Sequence, residues 1–417
     1  MQLIFYAENT LREPIHRILA DFPAAPQLEV FECRIVYERN NIAVGVRLPL
    51  LFAGQAPKLH TLRLQGIVAW ERGSFQGLRR LSITGLPGTA SQTMSLRGLL
   101  EVLSHSPALH HLHLSHLDPW VHHDGRASPA SDLCGPEDVI FLKCLRVMSI
   151  THCHMAQLAT LFTHISLPAN LFLSLTEILP PQFQQFMNIY YIFLANPTYF
   201  PNLNDLHFMR IQHSRSVSTA GPSGTLRLSV QKSAWNHSLP GVYDIGRLLY
   251  ARNLQELWVE WNDGQSATHT RVDWLSLLSS VPSLRILCLR HRRDTDAMLA
   301  ALAPDPEGHS HVVCEHLHTL LLENVQHPYD ALLHCAQLRF ACGHPLRHVC
   351  IAQKNRSEDE EKIRGVMNAM EVYVETVFCG DADLPDPCLR YLELEHRRKG
   401  GRERNRVELV SFRSGRN

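Results

Sequence analysis

The sequence predicts an α/β fold of solenoid form, a curved parallel sheet backed by outer helices. Three observations predict it: a short leucine pattern that returns along the chain, helix-period apolar stripes between its copies, and turn-forming residues that separate the two. The pattern is Leu, two variable residues, an apolar residue, one variable residue and a further apolar residue, often introduced by Pro or an aromatic. Residues 57–67 (PKLHTLRLQGI), 75–86 (FQGLRRLSITGL), 107–117 (PALHHLHLSHL) and 141–153 (FLKCLRVMSITHC) carry it first. It returns at 201–211 (PNLNDLHFMRI), 252–261 (RNLQELWVEW), 282–291 (PSLRILCLRH), 315–325 (EHLHTLLLENV), 345–352 (PLRHVCIA) and 387–395 (PCLRYLELE).

The first leucines are Leu59, Leu78, Leu109, Leu145, Leu203, Leu254, Leu284, Leu317, Leu346 and Leu389. Several intervals lie near the ~20 to 29 residues of a leucine-rich repeat. The two longest, Leu145 to Leu203 and Leu203 to Leu254, each leave room for a degenerate copy. Apolar side chains at offsets 0, 3 and 5 all face inward when a turn leads into a short strand, so stacked copies make a parallel sheet. One such strand cannot bury its apolar side alone, and each repeat therefore needs its neighbours.

Helices are expected at 95–106, 273–281, 295–303, 329–340 and 359–378, where apolar residues recur at three- and four-residue spacing, as in Leu96, Leu99, Leu100 and Leu103. Ser, Asp or Thr ahead of several of them supplies an N-cap. In the less regular middle, 164–178 reads as two short strands around a Pro-Ala-Asn turn, 180–195 as a helix, 225–231 as a strand and 241–253 as a helix. Breaks are expected at 120–138, 214–224, 304–311 and 353–361, where turn formers and charges replace periodicity. The expected organisation is one array over 1–417: a degenerate first repeat at 1–50, repeats over 51–395, and a C-terminal hairpin or tail at 386–417.

Forty basic side chains balance forty acidic ones, so overall charge offers no reason to expect nucleic acid as the partner. Eleven scattered cysteines in a 417-residue chain read as reduced thiols of a cytoplasmic or nuclear protein. The first residues lack the basic, apolar and small-residue segments of a secretion signal, and no apolar run approaches ~18 residues, so neither export nor a membrane span is expected.

The segments 57–67, 75–86, 95–115 and 164–170 resemble the repeat region of the fungal family of F-box proteins with leucine-rich-repeat-like C-terminal domains, over roughly residues 25–395. That resemblance implies a receptor surface for protein substrates of an SCF-type, cullin-RING ubiquitin ligase. In the family a separate N-terminal F-box docks on the ligase adaptor. Here residues 15–22 run almost at once into 26–35 (PQLEVFECRI), which reads as a first repeat, and no F-box precedes it. A stand-alone scaffold, or a truncated or decayed copy without the ligase link, is the alternative.

The variable positions of each strand face outward. One column reads Arg63, Ser82, His113, Ser149, His207, Trp258, Cys288, Leu321, Cys350 and Glu393; its neighbour reads Thr61, Arg80, His111, Val147, Asp205, Glu256, Ile286, Thr319, His348 and Tyr391. Basic groups come early, and Glu256, Glu260, Glu323, Glu393 and Glu395 late, so this face is expected to be polar from end to end and to suit a partner of opposite polarity. Trp258 and Tyr391 are the expected anchors, since aromatics on exposed sheet faces are what interfaces use.

Two histidine-rich clusters invite a metal. The spacing of Cys335, Cys342, His344, His348 and Cys350 lacks the paired CxxC units of common structural zinc sites, and a helix end, a turn and the next strand explain the same residues. In 105–116 the repeat sends Leu109, Leu112 and Leu114 inward and leaves His111 and His113 outward, without a convincing ligand set. The basic segment 396–406 reads as the connection of a hairpin between 388–396 and 406–412, or as a nuclear-import signal. No GxxxxGK[ST], GxSxG, HExxH or GxGxxG motif is present. The expectation is a binding protein with no cofactor or metal, a protein ligand, and no catalytic site.

Overall fold

In the computed structural model the described residues are 1–8, 17–36, 46–70, 75–85, 96–116, 139–153, 155–178, 205–212, 216–222, 224–230, 251–260, 273–290, 295–304, 312–324, 329–352 and 360–380. They form an α/β structure with a large, mainly parallel sheet and helices. The strands are β1 (Gln2–Glu8), β2 (Val30–Val36), β3 (Val46–Leu48), β4 (Thr61–Gln65), β5 (Ile67–Trp70), β6 (Arg80–Thr84), β7 (His111–Ser115), β8 (Ile140–Phe141), β9 (Val147–Thr151) and β10 (Ile165–Ser166). They continue with β11 (Leu171–Ile178), β12 (Phe208–Gln212), β13 (Ser216–Gly221), β14 (Gly224–Val230), β15 (Glu256–Glu260), β16 (Ile286–Arg290), β17 (Thr319–Glu323), β18 (His348–Ala352) and β19 (Thr376–Gly380). The helices are α1 (Leu96–Ser104), α2 (Met155–His164), α3 (Trp274–Ser279), α4 (Thr295–Leu302), α5 (Tyr329–Ala341) and α6 (Glu360–Met370).

Fifteen strands share one sheet in the order β1-β2-β4-β6-β7-β9-β11-β14-β13-β12-β15-β16-β17-β18-β19. Neighbours are parallel except where β13 meets β12 and β14. Two parallel pairs, β3 with β5 and β8 with β10, lie outside it.

The leucine pattern explains the core. At offsets 0, 3 and 5 stand Leu59, Leu62 and Leu64, then Leu78, Leu81 and Ile83, then Leu109, Leu112 and Leu114, then Leu145, Met148 and Ile150, all buried. Leu254, Leu257 and Val259, Leu284, Leu287 and Leu289, and Leu317, Leu320 and Leu322 repeat the arrangement. The apolar stripes of the helices join the same cluster through Leu99, Leu103, Leu277, Met298, Leu332 and Met370. Asp273 caps α3 by accepting the Ser276 N–H at 3.0 Å. Each core leucine truncated to alanine costs about 2–5 kcal/mol.

Polar groups recur at fixed places in the repeat. Three residues before the first leucine, Ser106 Oγ accepts the Leu78 N–H at 3.2 Å, and the Cys314 thiol donates to the Leu278 carbonyl at 3.3 Å. Seven residues after it the backbone turns left-handed, at Gly66 (φ 75°), His116 (φ 50°), His152 (φ 52°) and Asn324 (φ 50°). Asn and His tolerate that region better than most side chains. Gly85 stands at the same place, where a Cβ would sit 2.0 Å from the His116 carbonyl oxygen. On the helix side, buried Arg339 donates to the carbonyls of Leu302, Val313 and Cys314.

Several expectations change. The copy at 201–211 starts at Leu206, not Leu203: Met209 pairs with Leu257 and enters the main core, while Phe208 faces the other way. Residues 216–221, within an expected break, form β13, because alternating Ser, Val, Ser and Thr suit a pleated strand between turn residues. The helix expected to run to 378 ends at Met370, and Val374, Thr376 and Val377 turn the chain into β19, whose β-branched residues favour a strand. Of the two short strands around the Pro-Ala-Asn turn, β10 pairs with β8, whereas β11 joins the main sheet beside β9. Residues 2–8 and 30–36, inside the expected degenerate repeat, supply two full strands of the sheet, and Phe31 and Cys33 are wholly buried. Helix α2 occupies a stretch for which no element was expected. The expected helix at 180–195, residues 241–250 of the one expected at 241–253, and the hairpin at 386–417 lie outside the described residues; Ala251–Asn253 form a single 3-10 turn.

Candidate functional site

Because the core takes offsets 3 and 5, offsets 2, 4 and 6 of every strand point to the sheet face opposite the helices. Strand pairing brings equal offsets side by side. Arg63, Ser82, His113 and Ser149 are successive partners on β4, β6, β7 and β9, and Glu32 of β2 precedes them. Thr61, Arg80, His111 and Val147 form the row next to it. Further along, Arg210, Trp258, Cys288, Leu321 and Cys350 continue the first row. The register therefore puts Arg210 in the place expected for His207. His207 stands ahead of β12, with its ring 3.1 Å from the Asp205 carboxylate.

Two kinds of surface result. From β12 to β17 the face is closed by its own side chains: Phe208, Ala220, Trp258 and Cys288 are buried together, and Leu321 packs against them. Trp258 is 3 % exposed, so the expected exposed anchor is instead a packed one. Its indole N–H donates to Glu256 at 2.7 Å, and the Arg290 guanidinium lies 4.7 Å from its ring centroid.

Beside this cluster the late carboxylates are neutralised. Glu260 takes Arg210 at 2.8 Å and Arg290 at 2.9 Å, and Arg290 Nε also lies 2.8 Å from Glu323. The last contact is close in distance without hydrogen-bond alignment. The side chains of Glu260 and Glu323 are each 8 % exposed. At Glu260 and Glu323 the expected acidic surface is neutralised, because arginines on the neighbouring strands β12 and β16 answer these two carboxylates. Burial pushes the Cys288 thiol far above its ordinary pKa, which makes it a packing residue and not a nucleophile.

From β2 to β9 the same face remains polar. Glu32 is buried and pairs with Arg34 and, at 3.4 Å, with Arg63. Arg80 is exposed, while His111 and His113 are half-buried. Burial, then Arg80 and the neighbouring His110 and Arg146, lower the pKa of His111; burial lowers that of His113. Both imidazoles are held toward the neutral form, which keeps a donor and an acceptor on this surface.

Reading by columns passes over the residue that follows the first leucine. That position carries His60, Arg79, His110 and Arg146 in consecutive copies, and Arg285, His318 and Arg347 in later ones. Backbone bonds align them: Arg79 N–H donates to the His60 carbonyl at 2.7 Å, His110 to Arg79 at 2.8 Å and Arg146 to His110 at 2.8 Å. The later set is joined in the same way, Arg285 to Gln255, His318 to Arg285 and Arg347 to His318. With the register corrected, His207 belongs to this leading row. The signal was in the sequence as a basic residue recurring after the leucine.

Tyr391, Glu393 and Glu395 lie outside the described residues. Of the cysteine-histidine cluster, Cys335 is buried in α5, Cys342 is exposed, His348 is exposed on β18 and Cys350 is half-buried beside Leu321. Among the described residues no three or more His, Cys, Asp or Glu side chains gather as a metal ion requires. Among them, too, no helix is long and apolar enough to cross a membrane, and Cys33, Cys144, Cys153, Cys288, Cys314, Cys335, Cys342 and Cys350 are free thiols. No family model matches the chain, and no curated protein matches it.

Proposed function

We propose that the chain is a non-enzymatic protein-recognition module, a leucine-rich-repeat-like β/α solenoid whose outward sheet face receives a protein ligand. One observation carries the reading: equal positions of successive strands stand side by side, so variable side chains form continuous rows across a broad surface. Such a surface suits an extended protein contact, whereas a catalytic site needs titratable groups converging on one point. On the resemblance of its repeats to the F-box family, the module acts as a substrate receptor of a cullin-RING ubiquitin ligase in the cytoplasm or nucleus. A stand-alone binding module is the second reading, and it rests on the same rows without the ligase link.

The test is affinity capture of the full chain from its native cells with mass spectrometry, beside an Arg63→Glu/His113→Glu variant whose melting is first shown to match. Proteins retained by the parent and lost by the variant support the module, and cullin-ligase subunits among them support the receptor role. Identical retention by both chains removes the outward face from the reading.

A further inference from the structure

We propose that the leading ends of β4, β6, β7 and β9 form a docking site for a short peptide segment rich in Asp and Glu, presented by the protein partner. This rests on the reading of the chain as a protein-recognition module and names the chemistry of its ligand. Four basic residues, His60, Arg79, His110 and Arg146, occupy one position on four neighbouring strands and are tied by the backbone bonds given above. At the ~4.8 Å separation of neighbouring strands the row spans about 14 Å. Arg80 and His111, one residue further along, begin the outward-facing positions of β6 and β7.

The arginines are solvent-exposed and the histidines half-exposed. Arg79, Arg80 and Arg146 form no ion pair with a carboxylate among the described residues. The groups feel one another: burial first, then Arg146, Arg79 and Arg80, lower the pKa of His110. The nearest carboxylate in the row is Glu29, beyond His60 at its far end, where it bounds the patch. Like charges held side by side oppose each other, and an incoming anion relieves that repulsion. This is the reverse of the arrangement at Glu260, where each guanidinium already has its carboxylate.

Length and composition favour an acidic peptide over nucleic acid. About 14 Å matches four or five residues of extended chain at ~3.3 Å each. Single-stranded nucleic acid is usually held by aromatic platforms beside its basic groove. The positions of this row and its neighbour, from Glu29 to Arg146 and from Thr61 to Val147, carry His, Arg, Glu, Thr and Val, and one aromatic, Phe172, follows Val147 at the end of the neighbour row, so no run of aromatics accompanies the basic row. The formal charge of the whole chain is zero, so the attraction is confined to the patch.

Fluorescence anisotropy of a labelled deca-glutamate peptide with the full-length chain tests this, with an oligothymidylate of similar length as competitor. Arg79→Glu/Arg146→Glu is compared with Arg97→Glu, which changes an exposed arginine on α1. The expected result is binding that weakens as salt rises and falls about tenfold or more, some 1.4 kcal/mol, in the double variant but not in Arg97→Glu. Absence of binding, equal loss in both variants, or stronger competition by the oligothymidylate than by unlabelled peptide would each overturn the inference. If the double variant still retains the proteins captured by the parent, the acidic-segment inference fails while the recognition module stands; if no outward-face variant loses any protein, the module itself fails.

Discussion

The sheet face opposite the helices has two regions built on one backbone pattern, and they behave oppositely. Across β4 to β9 the outward side chains of Arg63, Arg80, His111 and His113 remain open to solvent or half-open. Across β12 to β17 the same positions hold Phe208, Trp258 and Cys288, and the surface closes on itself with Glu260 and Glu323 paired to Arg210 and Arg290. The inward leucines are alike in both. What each strand exposes on this face is therefore set by two or three outward side chains, and a carboxylate there keeps its charge unanswered only where no arginine stands beside it.

The sharpest way to break this contrast is Glu260→Ala. It removes the carboxylate that answers Arg210 and one of the two that answer Arg290 in a nearly closed site, and removing one member of a buried ion pair costs about 3–5 kcal/mol; chemical denaturation is expected to show that loss. Trp258→Ala is expected to cost about 3 kcal/mol by the same measurement, because the indole fills the outward cluster. If Trp258 were instead an exposed interface anchor, stability would hold and only binding would fall.

Acid acts on the other region. Burial holds His113 below the ordinary imidazole pKa, so the unfolded chain takes up the proton more readily. The stability it contributes is full above pH ~6.5, the unfolded value, and is lost as pH falls from there through the lowered folded value. His113→Gln is expected to flatten that part of a stability-versus-pH curve. Arg80→Ala and Arg146→Ala are expected to change stability by less than about 0.5 kcal/mol, since both are exposed and form no ion pair among the described residues. A larger change in thermal melting would mean that these cations support the fold rather than wait for a ligand.

Where three inward apolar residues recur, the strands were legible in the sequence, and where a helix stripe is strong, as in α1, so was the helix. Phase failed at 201–211 because Leu203 and Leu206 both satisfy the pattern, and only pairing with β15 selects Leu206. The outward positions Arg63, Arg80, His111 and His113 followed from the period of two. Which of them would be answered from across the sheet did not, since Arg210 meets Glu260 across fifty residues of sequence. The closed cluster was hidden for the same reason: Phe208, Ala220, Trp258 and Cys288 come from four strands, one of them the antiparallel β13.

That reversed strand has a consequence for how the chain finds its shape. β12 ends at Gln212 and β13 begins at Ser216; β13 ends at Gly221 and β14 begins at Gly224. These two pairings close the shortest loops in the sheet, while every parallel neighbour must wait for a longer crossover to be laid down. Hairpins form in microseconds, and local contacts precede distant ones. The meander is thus the segment expected to pair first, in the middle of the chain, with β14 beside β11 on one flank and β12 beside β15 on the other. Assembly spreading outward from this centre would fix the register of both arms before either terminus has found a neighbour.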